Sequence, residues 1–396
     1  MTIGSKDFDF EVVKSTYQES SAVAMMSILV AILLLSISIG HSNGFVPKMS
    51  RKSIHIGATS LACSTAAPFG ESVSQDYEYL DSGNQRRLER FGDTLVVRPC
   101  PSATWNSGLA RSAWREAKVV YENGEWRGVD HLPKKSDGSN ELDWKVAIHP
   151  NLVLNLAMSE QGQVGMFPEQ INNWNWIRFM CTRAKLVMNR SGSVNDGISA
   201  AATSVVDEED AKKNLKVLNS FAYTGGSSLA ALGISGVNVT HLDASKTFVS
   251  WAQKNAESSG LRDKLGARFL VDDTMTFLQR EKRRERRYHG MILDPPAFGR
   301  GPKGKGKSGS NTWKLDKDLP ELVELLPDVL ARKPAFLLLT CHDPKWSARK
   351  LQTLLQHAHG MPRRGIYETQ EMVLRSTRGG VDLPMGHSVR VSWLMK

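Results

Sequence analysis

The chain is poor in cysteine, and its four cysteines lie far apart: Cys63, Cys100, Cys181 and Cys341 form no C-x-x-C pair and no Cys/His cluster at metal-ligand spacing. That excludes a disulfide framework and gives no support to a metal site, so the compartment reads as reducing. The one G-x-G-x-x-G, GRGPKG (Gly299 to Gly304), lies in a Lys/Arg-rich stretch after Asp294-Pro295-Pro296, not in a turn between a first strand and its helix, which counts against a nicotinamide or flavin dinucleotide. Two further gaps adjoin one another. Charge of either sign is missing from Ala22 to Ile39, and acidic residues are missing from Gly40 to Gly70.

The uncharged run AVAMMSILVAILLLSISI (Ala22 to Ile39) is at the lower limit for a membrane-spanning helix and long for the apolar part of a signal peptide. Asp7, Asp9, Glu11 and Glu19 precede it, an odd flank for a signal, and a true start at Met25 or Met26 would account for them. The Ser-rich, acid-free stretch that follows has the composition of a transit peptide. A signal-like run, then Phe45, then such a stretch resembles the two-part targeting sequences of algae with complex plastids. This implies an organellar, plastid destination; the alternative is a single-pass membrane anchor. On either reading residues 1–74 lie outside the catalytic fold, and only they would touch a membrane.

What is present is an ordinary globular composition, 41% apolar and 23% charged over 396 residues, enough for two domains and a sizeable core. The formal net charge is +10, with Lys and Arg concentrated in REKRRERR (Arg280 to Arg287) and GRGPKGKGK (Gly299 to Lys307). Such an excess favours polyanionic partners, nucleic acid first and an anionic membrane second.

The second cluster overlaps GPKGKGKS (Gly301 to Ser308), which matches G-x-x-x-x-G-K-[ST]. A phosphate-binding loop of that kind needs a strand running into the glycines and a helix starting at the Ser/Thr. Here the preceding strand ends earlier, at Asp294, and GSNTW after Ser308 is no helix start. An ATPase or GTPase is therefore not expected.

Asp76 to Trp105 reads as short strands and turns, with a turn at Ser82-Gly83-Asn84 and a β-rich run from Thr94 to Arg98. Further short strands are expected around Lys118 to Trp126 and Trp144 to His149. Together these suggest a small β-rich domain over residues 75–150. Helix-like sequence follows from Gln170 to Met180, where Trp174 and Trp176 suit burial. Residues 189–210, polar and rich in small side chains, read as a flexible surface insertion within a larger domain, 151–396.

From Leu215 onward, apolar β-branched and Leu-rich runs alternate with amphipathic helices, the pattern of an α/β fold with a parallel sheet. Ligands of such sheets sit beyond the carboxyl ends of the strands. The first strand leads into FAYTGG, the second ends at Asp243, the third at Asp272-Asp273, and the fourth at Asp294-Pro295-Pro296. A glycine pair lets the backbone approach a ligand, and an acid about twenty residues on can accept ribose hydroxyls.

FAYTGG, LDAS, VDD and DPPAF, in this order and spacing, resemble class I S-adenosylmethionine-dependent methyltransferases, with a Rossmann-like sheet. The likeness points to the bacterial large-subunit ribosomal RNA methyltransferases that modify cytosine or guanine. It spans about Asp76 to Trp393 and includes LDSG, RLERFG, GMFPEQ, GRGPKG and HSVRVSW. The resemblance implies S-adenosyl-L-methionine as cofactor and RNA as partner. Phe221, Ala222, Tyr223, Thr224 and Gly225 would line the methionine end, Asp243 would hold the ribose, and Asp272, then Asp273, would meet the adenine amino group. Gln170 would close over the cofactor.

At the acceptor, Asp294 with Pro295 and Pro296 could take hydrogen bonds from a base amino group, and Phe298 could offer a stacking face. Transfer to C5 of a pyrimidine needs a nucleophile at C6, and related cytosine-5 enzymes carry a Cys where Cys341 stands. Members with the GRGPKG loop commonly lack it. His342 reads as a loop residue. A protein or small-molecule acceptor, and a non-catalytic RNA assembly factor that keeps the cofactor fold, are the rival readings.

Overall fold

A computed structural model describes residues 76–192, 214–263, 266–300 and 312–394. The targeting segment expected over residues 1–74, most of the 189–210 insertion and the GPKGKGKS segment lie outside the described residues. Asn189 to Gly192 continue a helix. No helix among the described residues is long and apolar enough to cross a membrane.

The amino-terminal region is a five-stranded sheet in the order β1 to β5: Tyr77–Gly83, Arg86–Phe91, Thr94–Pro99, Val119–Glu122 and Glu125–Arg127. Its neighbours are antiparallel except β3 and β4, which run parallel. A short helix, α1 (Arg111–Arg115), lies in the connection between those two. Inside the sheet Glu89 accepts hydrogen bonds from Arg98 and Tyr77 and faces Arg87 at 3.3 Å, all fully buried or nearly so. Burial opposes the charge on Glu89, but Arg87 and Arg98 outweigh it and hold its carboxyl below the usual range.

A separate hairpin follows, β6 (Lys145–His149) with β7 (Leu152–Asn155). The boundary expected at Pro150 thus falls in a hairpin turn. Both strands pack together: Val146, Ile148, Leu152 and Leu154 are buried in one core with Trp144.

The second layer system is a seven-stranded sheet in the order β10-β9-β8-β11-β14-β16-β15. Its strands are β8 (Leu215–Ser220), β9 (Val237–Asp243), β10 (Ala267–Val271), β11 (Gly290–Leu293), β14 (Phe336–Cys341), β15 (Ile366–Leu374) and β16 (Leu383–Ser392). Five strands are parallel as expected; β16 is antiparallel to both its neighbours, so the sheet is mixed. Helices connect the parallel strands: α2 (Ile171–Gly192) leads in, followed by α3 (Gly226–Leu232), α4 (Lys246–Ser258), α5 (Thr274–Arg283), α6 (Leu315–Val329) and α7 (Ala348–His357). Burial on both faces of β11 and β14 explains why they read as unbroken apolar runs. Trp174 and Trp176 are buried on α2.

Two short strands, β12 (Phe298–Arg300) and β13 (Thr312–Lys314), pair antiparallel across the segment that contains GPKGKGKS. The first described residues after that segment, Thr312–Lys314, form a strand.

The carboxyl-terminal hairpin loop ties back onto the first sheet. Asp81 accepts backbone N–H groups from Leu109 and Val381 at 2.8 Å each, and Tyr79 donates to the Val381 carbonyl at 2.6 Å. Gly380 lies so close to the Leu80 carbonyl that a Cβ there would stand 2.3 Å from it.

Candidate active site

The carboxyl ends of β8, β9 and β11 open into a cavity of about 550 Å³, to which the first sheet and the segment before α2 also contribute. Asp243, Phe248, Asp273, Asp294, Pro296 and Phe298 are among its lining residues. Strand ends from one sheet and a wall from another region thus meet in one place.

The loop after β8 is conformationally special. Phe221 and Tyr223 have φ of 55° and 50°, and Gly225 has φ of 93°. For the two aromatic residues this costs about 1–3 kcal/mol each, which the surroundings must offset. Asp243 does so in part, because its Oδ2 accepts the Tyr223 N–H at 2.9 Å while Oδ1 accepts the Ser245 N–H at 2.8 Å. Thr224 donates to the Gly165 carbonyl at 2.7 Å, and Gly225 starts α3. A Cβ at Gly225 would meet that of Ala252 at 3.0 Å. Burial raises the Asp243 pKa, and the two backbone donors lower it in part. Each of its carboxylate oxygens keeps one lone pair for a ligand hydroxyl.

The expected residues come together unevenly. Phe221 and Tyr223 line the large cavity, and Ala222, Thr224 and Gly225 line a small recess behind it that also touches Gln170 and Asp294. Asp272 is ion-paired with Arg280 and is not among the cavity's lining residues; Asp273 is, while its side chain also caps α5 through the Thr276 N–H. Of the two acids expected to meet the adenine amino group, Asp273 lines this cavity.

Gln170 is buried beside the Phe221–Gly225 loop, and its Nε2 donates to Asp294 Oδ2 at 3.0 Å. Thr340 donates to Asp294 Oδ1 at 2.5 Å, and His342 Nε2 stands 3.4 Å from the same oxygen. Burial opposes ionisation of Asp294, but the His342 charge and these hydrogen bonds outweigh it and hold the carboxyl below its usual range. His342 mirrors this. Burial favours its neutral form, yet Asp294, then Glu169 and the Met385 carbonyl, hold it up to about 9. It belongs to the site rather than to a passive loop, and while charged it cannot act as a base.

Cys341 falls on the other side. Side chains alternate along β14, so Thr340 meets Asp294 whereas Cys341, at 0% exposure, belongs to an apolar core with Leu351, Leu355 and Val389. Burial pushes its thiol up to about 11. A nucleophile needs an accessible thiolate, so this burial argues against the covalent role raised for Cys341.

Pro295 and Pro296 hold the turn after Asp294, and Trp313 fixes it by donating to the Pro296 carbonyl at 2.7 Å. The Trp313 ring also packs on Phe221, with centroids 4.9 Å apart. Phe298 is 77% exposed at the rim, available as a stacking face. Reading the sequence missed Arg87, Phe167, Glu169, Phe248 and Trp313 as wall residues. The motif stretches RLERFG and GMFPEQ lie at or beside several of them, but only the fold brings those stretches to β11. Among the described residues no group of three or more His, Cys, Asp and Glu is placed to hold a metal ion.

A strand order of third-second-first-fourth-fifth-seventh-sixth, with only the seventh reversed, decides the fold. The chain has the fold of class I methyltransferases. A solved S-adenosylmethionine-dependent methyltransferase from Agrobacterium tumefaciens superposes with a TM-score of 0.63 at 28% identity, covering 81% of this chain and 91% of that one. Among curated proteins, the ribosomal RNA large subunit methyltransferase K/L of Pseudoalteromonas atlantica is 36% identical over 235 residues, 58% of this chain and 29% of that protein. The protein of the same name from Alteromonas mediterranea is 25% identical over 253 residues, 62% of this chain and 30% of that protein. The methyltransferase-like chain thus spans less than a third of these curated relatives. No family model matches it.

Proposed function

We propose that the protein is an S-adenosylmethionine-dependent methyltransferase acting on a base of ribosomal RNA. The observation that carries this reading is Asp294, ionised and held by Gln170, Thr340 and His342 beside the Gly225 loop and Asp243. Likeness to the curated ribosomal RNA methyltransferases supports the substrate class, and the net charge of +10 suits a polyanion.

The chain's residues fit the cofactor. Asp243 retains acceptor capacity towards ribose hydroxyls, Asp273 and Phe248 stand farther along the same wall, and the Phe221–Gly225 loop brings backbone close. When bound, S-adenosylmethionine supplies an electrophilic methyl group. The protein's own work is positioning. Asp294, fixed as an acceptor, orients a base N–H; Pro295 and Pro296 keep the backbone from shifting; Phe298 offers the base a face. With Cys341 turned away, transfer to nitrogen fits the site better than transfer to C5.

The acid-free stretch 40–70 and the uncharged run before it support an organellar, plastid location. Incubating the protein with radiolabelled S-adenosylmethionine and large-subunit ribosomal RNA tests the enzyme reading: label should enter RNA with wild type and be lost with Asp294→Ala. Cofactor binding with no label in any RNA would sink the RNA substrate.

A further inference from the structure

The seven-stranded sheet has a second open edge. At the amino ends of its strands lies another cavity, of about 780 Å³, lined by Lys216 from β8, Arg268 from β10, Arg286 and Arg287 after α5, and Arg332 after α6. Glu285 is the one acid in that lining. All five basic side chains are exposed. Arg286 stands 3.7 Å from Glu281, and Arg287 donates to the Leu330 carbonyl at 2.9 Å. The side chains of Lys216, Arg268 and Arg332 have no ion pair or hydrogen bond among the described residues.

Cations gathered in a concavity repel one another, and field lines focused there attract a polyanion. A phosphodiester backbone meets the need with repeated charge. An anionic bilayer meets it less well, since membrane-surface binding also buries apolar side chains. None of the exposed large hydrophobic residues Leu186, Val187, Val271, Phe298 and Ile366 lines this cavity. Asn238, half-buried in the wall, adds a polar group suited to sugar hydroxyls.

We propose that this amino-edge groove binds the sugar–phosphate backbone of RNA, at a place separate from the pocket that holds the acceptor base. The inference rests on the RNA reading above and adds a second point of attachment. β8 has six residues and so rises about 20 Å. An RNA held at both edges must reach around the sheet, which suits a large folded RNA.

The test measures binding of the full chain to protein-free large-subunit ribosomal RNA over a range of salt, comparing wild type with the double variant Arg268→Gln/Arg332→Gln. Losing two phosphate contacts should weaken binding about tenfold at low salt and reduce the slope of log affinity against log salt by about 1.5. S-adenosylmethionine binding and the melting temperature should not change, and Arg268→Lys/Arg332→Lys should keep most of the affinity. Unchanged affinity and slope in the glutamine variant, with wild type still methylating RNA, would overturn the groove and leave the enzyme reading intact. Arginine-dependent binding to phosphatidylserine vesicles but not to RNA would overturn it in favour of a membrane. If wild type neither binds nor methylates RNA, both readings fall.

Discussion

At the carboxyl edge of the seven-stranded sheet Asp294 shares its carboxylate with Gln170, Thr340 and His342, whereas at the amino edge the exposed Lys216, Arg268 and Arg332 have no such partners among the described residues. The first arrangement fixes a single charge in one direction. The second leaves several charges free to meet a ligand whose own charges are spread out. Charge at the first edge selects chemistry and orientation; at the second it supplies affinity that salt can screen.

Breaking the carboxyl edge should have the largest effect. Asp294→Ala is expected to lower methyl transfer about a hundredfold or more at saturating RNA, since positioning of the acceptor is lost, with cofactor affinity little changed. Single-turnover kinetics and cofactor titration separate the two. Normal turnover by this variant would remove Asp294 from the chemistry.

His342→Gln should cost about tenfold in rate, because a charged partner of Asp294 is replaced by a neutral one. It should also alter the dependence of stability on pH. In the folded state His342 is held at about 9, above its ordinary 6.5, so its contribution is whole below pH 6.5 and disappears as pH rises through 9. Asp294, held below its ordinary 3.8, contributes above that value and loses its contribution as pH falls through its depressed folded value. Melting temperatures from pH 5 to 9.5 should therefore decline on the alkaline side for wild type and flatten for His342→Gln. A wild-type profile flat from about pH 6.5 to 9 would contradict the His342–Asp294 pairing.

At the amino edge, Arg268→Gln/Arg332→Gln should leave the turnover rate at saturating RNA unchanged and raise only the RNA concentration needed to reach it. That split sharpens the comparison, since a variant at the first edge changes the rate itself. The smallest effect is expected behind the site. Cys341→Ala should keep activity within about twofold while lowering stability by about 1 kcal/mol through lost packing; loss of all activity in a folded variant would restore the covalent mechanism.

The chain's own pattern was informative where local physics sufficed. Alternating apolar runs and amphipathic helices from Leu215 specified an α/β sheet, and FAYTGG, LDAS and DPPAF marked the strand ends around the cavity. Local pattern misjudged what depends on pairing. The end expected at Pro150 falls inside a hairpin, and the sheet expected to be parallel is mixed because strand direction leaves no mark on composition.

Residue types and their order determined by themselves where polar groups would stand at strand ends and which run of glycines could let a ligand approach the backbone. Only the tertiary structure decided which of two adjacent residues faced the cavity. Asp273 rather than Asp272 lines the cavity, and Thr340 rather than Cys341 meets Asp294 because successive side chains alternate along β14. The fold also decided that Arg87, Glu169 and His342, far apart in the chain, share one wall with Asp294. Long-range contacts of that kind arise from the packing of one sheet against another.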